Sequence, residues 1–434
     1  MAGPGLPQSG HDMVTNLAGY WPSRWPGEDG GPARRQAPLS GAGLGLQPGE
    51  VLSVTSRMAL ASTMVVLRDP GELYLLCHTG GDAAVSWVEQ IDPLTLETIR
   101  RSPDLPGGPT WPGGLACHAN GSIYVVFGNH AHRLSATLEV EASVELPRFR
   151  PYNSFVILPD GTIATKDFGG LRAGSIEPDG LGASELLVLS PDDLSIRSRC
   201  ELPEPSIARL SADGDDIYVV GDTSLQRVRW DGSSLALDPD FRPLYRTIEG
   251  QTYGWDAVID AGAAWFLDDG EGSNRFIGTF RGQGINTAPL HLVRVDLTSG
   301  DVSLTEICGL PGGLIANPPA IDPVRRIAVG YDSGNGVVAA FRFDEAGATT
   351  PLWSLQLNHA AHPLRFPDTG ELVLCDHDAA RGTDQVVVVD IETGSELGRV
   401  DTGSPVQCVL FGAPGFERDF YVCTFTTVTR ISIA

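Results

Sequence analysis

Lysine is nearly missing from this sequence: of its 30 Lys and Arg residues, only Lys166 is a lysine. Positive charge is scarce altogether, because 54 Asp and Glu residues leave a net charge of −24. Such a surface repels phosphates, so we expect no nucleic-acid partner and no binding to anionic membranes. Long hydrophobic runs are also missing. The longest, Met58 to Leu67, is about half of a bilayer-spanning helix, and the N-terminus has no apolar signal-peptide segment.

Paired cysteines are absent as well. The chain has seven cysteines, an odd number with no C-x-x-C spacing, and most lie in apolar strand-like runs. This pattern is typical of reduced core thiols in a cytoplasmic protein and argues against a zinc knuckle. There is no G-x-S-x-G and no Gly-Lys of a P-loop, and the glycine run at 41–46 follows no strand. We therefore expect no nucleophile-elbow hydrolase and no NAD or nucleotide cofactor.

What the sequence does have is a repeat. An apolar run, a tight Gly or Asp turn, a second apolar run and a polar loop recur, as in MVVLRDPGELYLLC (64–77) and GLACHANGSIYVVF (114–127). The turn glycines recur about every 49 residues, a period typical of propellers and solenoids. They lie at positions 71, 121, 161, 214, 262, 370 and 415, and one weak copy lacks its glycine.

Each copy reads as a β-hairpin, and most are followed by a second one, which makes four short strands a unit. Four-stranded units repeated radially predict an all-β protein, a single β-propeller of eight blades, or of seven if one weak copy is false. We expect the propeller to span 49–434, with residues 50–57 adding the fourth strand of the C-terminal blade. Residues 1–48, rich in Gly and Pro, predict either a packed arm or a partly disordered tail.

The repeat also predicts which residues face one mouth of the central channel. The first strand of each blade begins at that end, and the loop after the second strand returns to it. Two long loops, 168–184 and 270–289, lie on the same face, as lids often do. The predicted mouth residues are Asn153, Trp255 or Asp256, Asn317 and His362 at strand starts, and Lys166, Asp268, Arg275, Arg281 and His377 in loops.

These residue types suggest a chemistry. A desolvated lysine acts as a base or nucleophile, so Lys166 is a catalytic candidate, although an ion pair with Asp167 or Asp268 is an alternative. His362 and His377 of one blade predict a proton-transfer pair, or simply two hydrogen-bonded rim histidines. Arg275 and Arg281 suit an anionic substrate, and Asn317, Trp255 and Asp268 would complete its binding site.

Two segments resemble known families. PYNSFVILPDGTIATKDFG (151–169) and YGWDAVIDAG (253–262) resemble blades of the SMP-30/gluconolactonase and strictosidine-synthase-like propellers. That resemblance implies a divalent cation, Ca²⁺ or Mg²⁺, bound by Asn153 and Asp256, whose oxygen ligands suit such an ion. VVVVDIETGSELGRV (386–400) resembles the repeat of PQQ-like quinoprotein propellers, but the sequence shows no PQQ site, and we expect no PQQ.

Together these features predict a cytoplasmic small-molecule enzyme of the hydrolase or lyase type. It would act on a polar or anionic substrate at the channel mouth, with acid–base help and a divalent metal. The alternative is a non-catalytic propeller that binds a ligand or another protein, because this fold hosts many functions. The sequence leaves the oligomeric state open.

Overall fold

The chain forms a ring of eight antiparallel sheets, each with at least four strands. The computed structural model describes residues 17–169 and 182–434, and of Asn153 only the backbone. Turn glycines such as Gly71 (φ 85°) and Gly161 (φ 84°) adopt the left-handed conformation that most other residues avoid. They close the inner hairpins at regular intervals, and the predicted eight-bladed propeller is confirmed.

The strands follow one another outward from the channel within each blade. Blades 1 to 4 consist of β2(Ser62–Leu67), β3(Leu73–His78), β4(Ala84–Ile91), β5(Thr98–Arg101) and β6(Leu105–Gly108); β7(Gly114–Cys117), β8(Ile123–Phe127), β9(His130–Leu134) and β10(Val140–Glu145); β11(Tyr152–Ile157), β12(Ile163–Asp167), β13(Glu185–Leu189) and β14(Ile196–Glu201); β15(Ser211–Asp213), β16(Asp216–Val220), β17(Leu225–Trp230) and β18(Leu235–Leu237).

The other four blades repeat this order. They consist of β19(Val258–Asp260), β20(Ala263–Leu267), β21(His291–Asp296) and β22(Val302–Glu306); β23(Ala320–Asp322), β24(Ile327–Asp332), β25(Val337–Phe343) and β26(Thr349–Gln356); β27(Leu364–Phe366), β28(Glu371–Asp378), β29(Thr383–Asp390) and β30(Glu396–Asp401); β31(Gly412–Pro414), β32(Asp419–Cys423) and β33(Thr427–Ile433), with β1(Leu52–Met58) as the outer strand.

The two ends of the chain meet in blade 8. Strand β1 pairs antiparallel with β33, from Leu52 opposite Ile433 to Met58 opposite Thr427. Segments some 370 residues apart along the chain therefore share one sheet, which completes blade 8 and closes the ring.

Burial explains the apolar runs of the repeat. The first two strands of a blade lie between the neighbouring blades, so second strands such as β8 and β20 are buried at every position. Outer strands such as β14 alternate between half-buried and exposed residues. The described residues hold two short 3₁₀ helices, η1(Glu28–Gly30) and η2(Ser273–Arg275), and no helix there is long and apolar enough to cross a membrane.

The described part of the N-terminal arm packs across the end of the ring opposite the predicted mouth. Trp21 lies against Asp69 at a hairpin turn there, and Trp25 is buried in the core. The backbone N–H groups of Leu67, Cys117, Ala212, Ile259 and Arg365 donate to carbonyls of Trp25, Pro26, Pro32, Ala33 and Gln36. The arm thereby joins blades 1, 2, 4, 5 and 7, and its residues 28–36 enter the channel.

A candidate small-molecule site at the channel mouth

A cavity of about 240 Å³ opens at the mouth end of the channel. Most of its wall is apolar, with many aromatic side chains, and the polar part is small. The aromatic residues are Trp111, Trp255, Phe276, Phe280, Phe411 and Phe425. The polar residues are Arg209, Ser273, Asn274, Asn317 and His362. A mostly apolar cavity with a few convergent polar groups is the usual form of a small-molecule site.

The repeat explains why these residues meet. Arg209, Trp255, Asn317 and His362 each lie a few residues before the inner strand of a different blade. Radial closure brings those positions to one axis although they are far apart in sequence. Three of the predicted residues, Trp255, Asn317 and His362, line the cavity.

His362 is held in place by the arm. Its Nδ1 lies 2.9 Å from Oδ1 of Asp29, and its ring stacks on Phe411 with centroids 3.9 Å apart. Burial opposes ionisation of Asp29, but His362 and Arg34 outweigh it and keep the pKa of Asp29 below its usual range. With Nδ1 donating to this carboxylate, Nε2 is the nitrogen left for a molecule in the cavity.

Below the cavity lies a buried ionic network, which we call the channel floor: Glu28, Asp29, Arg34, Arg209 and Asp256. Arg34 bonds Glu28 at 2.8 Å and Asp29 at 3.0 Å, and Arg209 bonds Glu28 at 3.1 Å. The backbone N–H of Arg209 donates to Asp256 at 2.6 Å. Buried charges are tolerated only when they are paired in this way, so the floor depends on the arm.

Two predicted catalytic residues do not line the cavity. Strands β12 and β28 extend further than the sequence pattern indicates, so Lys166 and His377 lie within strands and not in mouth loops. Lys166 is fully buried, and its Nζ donates to the carbonyl of Ser206 at 3.0 Å. The predicted pairing of His362 with His377 is not formed at the cavity, where His362 is bonded to Asp29 instead.

Three predicted substrate-binding residues also lie elsewhere. Asp268 is buried against His291, with Oδ2 at 2.9 Å from Nδ1, because it ends the blade-5 hairpin under the loop. Arg275 and Arg281 are exposed and bond loop carbonyls of Gln283 and Asn335. The loop 270–289 contributes Ser273, Phe276 and Phe280 instead; most of the other predicted lid, residues 170–181, lies outside the described residues.

The described residues do not assemble the cation site predicted at Asn153 and Asp256. Oδ1 of Asp256 accepts the N–H of Arg209, and the Arg209 guanidinium lies 3.7 Å from its other oxygen. Both oxygens of Asp256 therefore face Arg209. The side chain of Asn153 lies outside the described part. Within that part, no group of three or more His, Cys, Asp or Glu residues could hold a metal ion.

Asp29, Arg209, Trp111 and Phe411 are the site residues that sequence reasoning missed. One signal for Asp29 was present: Glu28, Asp29 and Arg34 are charged residues in an arm otherwise rich in Gly and Pro. Arg209 lies three positions beyond Ser206, the position that counting back from the turn glycine indicates. The aromatic residues gave no signal, because such residues are usual in a core.

Comparison with known proteins defines the class of fold and no more. The sequence matches no protein-family model and no curated protein. Among solved structures, it resembles the quinohemoprotein alcohol dehydrogenases of Pseudomonas putida HK5 and Comamonas testosteroni. The Pseudomonas enzyme has a TM-score of 0.62 and 9% identity, and the match covers 98% of this chain and 82% of that one. The Comamonas enzyme has a TM-score of 0.61 and 11% identity, and the match covers 97% of this chain and 82% of that one.

BamB from Moraxella catarrhalis is also similar, with a TM-score of 0.55, 12% identity and coverage of 88% of this chain and 98% of that one. At these identities the likeness concerns the fold alone. It supports a β-propeller with quinoprotein-like repeats. It does not show a relation to the SMP-30 group, and it does not support a hydrolase or lyase. The expected absence of PQQ, NAD and nucleotide stays a prediction.

Proposed function

We propose that the mouth cavity is an enzyme site for a small, partly aromatic molecule, and that His362, oriented by Asp29, transfers a proton to or from it. The observation that carries this proposal is the Asp29–His362 contact of 2.9 Å at the wall of an otherwise apolar cavity. A carboxylate behind an imidazole fixes the tautomer and stabilises the imidazolium formed during catalysis.

Of the two predicted reaction classes, the lyase type fits this geometry better. Elimination begins with removal of a proton from carbon, which one acid–base group can perform. Hydrolysis through a covalent intermediate needs a hydroxyl or thiol bonded to the base. Among the described residues no Ser, Thr or Cys side chain hydrogen-bonds His362, whose Nδ1 is occupied by Asp29. Removal of a proton from carbon is therefore the reaction that His362 and Asp29 support best.

Deuterium exchange tests this proposal without knowledge of the natural substrate. Acetophenone and phenylpyruvate are small aromatic molecules with an acidic C–H beside a carbonyl, and NMR follows their exchange in D₂O. We expect the protein to accelerate exchange of one or both, and His362→Gln to lose at least about 100-fold of that acceleration. His377→Gln is the matched control, because His377 lies in strand β28 outside the cavity. We expect this variant to keep the wild-type exchange rate. Equal rates for His362→Gln and wild type would reject the role of His362.

A second candidate function is docking of another protein at the mouth face. The loop 270–289 and its neighbour expose apolar side chains there: Ile277 is 74% exposed, Leu310 50% and Ile285 45%. Exposed apolar groups at a rim favour a non-catalytic interaction protein. Replacing Ile277 and Leu310 with Ser separates the two functions, because docking would be lost while exchange chemistry in the cavity would be unchanged.

A further inference from the structure

We propose that the ligand of the mouth cavity is a small aromatic carboxylate, with its ring between the aromatic walls and its carboxylate at Arg209 and His362. This inference rests on the proposed function, since it names the ligand of the same cavity. It goes further by fixing the ligand's charge, its shape and the groups that bind the charged end.

The first argument is the charge of the cavity wall. This chain carries 54 acidic residues, yet among the described residues none lines the cavity, whose described titratable residues are Arg209 and His362. The carboxylates of Glu28 and Asp29 lie behind these two groups and bond them from the channel side. A molecule in the cavity therefore meets a guanidinium and an imidazole, which are donors suited to a carboxylate.

The second argument is the charge balance of the channel floor. Glu28, Asp29 and Asp256 are three buried carboxyl groups, and Arg34 and Arg209 are only two permanent cations. Burial raises the pKa of Asp256 and so favours its neutral form. With Asp256 neutral, the remaining two carboxylates and two guanidinium groups balance, as a medium of low dielectric favours. The floor therefore places no net negative charge behind the cavity wall.

The third argument is the shape of the cavity. Trp111, Trp255 and Phe411 supply flat apolar faces, and Phe411 already stacks on His362 and lies 4.8 Å from the Arg209 guanidinium carbon. The volume of about 240 Å³ lies just below the usual range of small-molecule sites, roughly 300–1,000 Å³. That volume suits one substituted ring and is small for a long or branched ligand.

Three probes of the same shape and different charge test the inference: benzoate, benzamide and benzylammonium. Binding to the full chain labelled with 5-fluorotryptophan is followed by ¹⁹F NMR, with the signals of Trp111 and Trp255 assigned from Trp→Phe variants. We expect benzoate to shift both signals and to bind at least about tenfold more tightly than benzamide.

Variants locate the charged end. Arg209→Gln should remove most of the advantage of benzoate over benzamide, but it also unpairs buried Glu28 and can unfold the chain. Arg209→Lys and His362→Gln give independent readings. Arg209→Lys keeps the charge and part of the benzoate advantage, and His362→Gln lowers that advantage because the imidazole that meets the carboxylate is lost. Trp87→Phe, at a tryptophan outside the cavity, leaves all three affinities unchanged.

Each other result overturns the inference in a way that can be recognised. If benzamide or benzylammonium shifts the two signals and binds as tightly as benzoate, the ligand is not an anion, but the cavity remains a binding site and the proposed function stands. If none of the three probes shifts either signal, both the inference and the proposed aromatic-ligand site fail. A benzoate advantage that is unchanged in His362→Gln would exclude His362 from the anion site.

Discussion

Asp29 in the channel floor and Asp384 in blade 7 are equally buried, and their environments are opposite. Asp29 is 1% exposed and bonds both Arg34 and His362. Asp384 is 0% exposed, and neither of its oxygens makes a hydrogen bond of normal geometry with a described residue. Burial lowers the stability of both carboxylates in their charged form, but only Asp29 has partners that repay this cost.

The pKa values follow the same division. The pKa of Asp29 lies below its usual range because His362 and Arg34 outweigh burial. Burial raises the pKa of Asp384 well above its usual range, and Cys375 and Cys408 are its neighbours around a small void of about 10 Å³. The comparison shows that Arg34 of the arm stabilises the charged form of Asp29 below the cavity. In blade 7, a carboxyl is kept neutral without such partners.

Replacing Arg34 gives the largest expected effect. Arg34→Met leaves Glu28 and Asp29 buried without their main cation, and breaking a buried pair in this way costs about 3–5 kcal/mol. Urea unfolding, followed by tryptophan fluorescence, measures this loss in the free energy of unfolding. Arg35→Met, one residue along the same arm, is the matched control. The Arg35 side chain is 31% exposed, and its contact with Asp260 is longer, at 3.4 Å, than the contacts of Arg34. A smaller loss in the free energy of unfolding is therefore expected.

Equal losses for the Arg34 and Arg35 variants would contradict the idea that the floor differs from an ordinary arm contact. A loss confined to Arg34→Met, with retained ring structure by circular dichroism, would show that the arm adds stability through the floor.

The propeller could be predicted because its signal is periodic. Turn glycines such as Gly71 and Gly161 need positive φ, and second strands such as IYVVF (Ile123–Phe127) must be apolar on both faces. These two constraints recur in most of the blades. The cavity residues Trp255, Asn317 and His362 followed from the same period, since each precedes an inner strand.

The rest of the site could not be predicted, for physical reasons that differ by residue. Asp29 belongs to the N-terminal arm, which is not part of the repeat. Its contact with His362 depends on how the arm packs against the ring, and the repeat spacing does not predict that packing. Lys166 was misplaced because strand length within a blade varies by a few residues, and that difference moves a side chain from a loop into a strand. Arg209 was missed for a similar reason: the residue at the channel mouth in its blade lies three positions after the one that the repeat spacing indicates.

Replacing Asp384 should stabilise the folded protein, whereas replacing Arg34 should destabilise it. Asp384 is protonated in the folded protein, because its pKa is raised, while the unfolded chain ionises above about pH 4. The unfolded state is therefore favoured increasingly as the pH rises from about 4 towards the folded pKa. Asp384→Asn removes this penalty, so its melting temperature relative to wild type should increase from pH 5 to pH 8 by a few degrees.

Asp322→Asn is the matched control for Asp384. Asp322 is also 0% exposed, but it accepts N–H groups of Val324 and Arg325 and pairs with the Arg325 guanidinium at 3.0 Å. We expect this variant to melt below wild type. If Asp384→Asn also melts lower at every pH, a partner of Asp384 must exist in the folded protein, and the contrast with Asp29 fails.

Asp269 should give the smallest effect, because it lies between the two extremes. Its Oδ1 accepts the N–H of Thr252 at 2.9 Å, while Oδ2 has no partner among the described residues. Burial and the neighbouring Asp268 raise the pKa of Asp269 to about 8. The folded protein therefore loses stability between about pH 4 and pH 8 through this group and no more above that range.

Asparagine suits this position, since φ of Asp269 is +60° and Asn tolerates the left-handed region. Asp269→Asn should thus flatten the fall in melting temperature between pH 5 and pH 8 without new backbone strain, and by less than Asp384→Asn because one hydrogen bond of Asp269 is already made. Asp268→Asn serves as the control: it weakens the 2.9 Å contact with His291 and should destabilise the protein. An unchanged pH slope in Asp269→Asn would mean that Asp269 is ionised at neutral pH, and that an unpartnered oxygen in this fold is not enough to keep a buried carboxyl neutral.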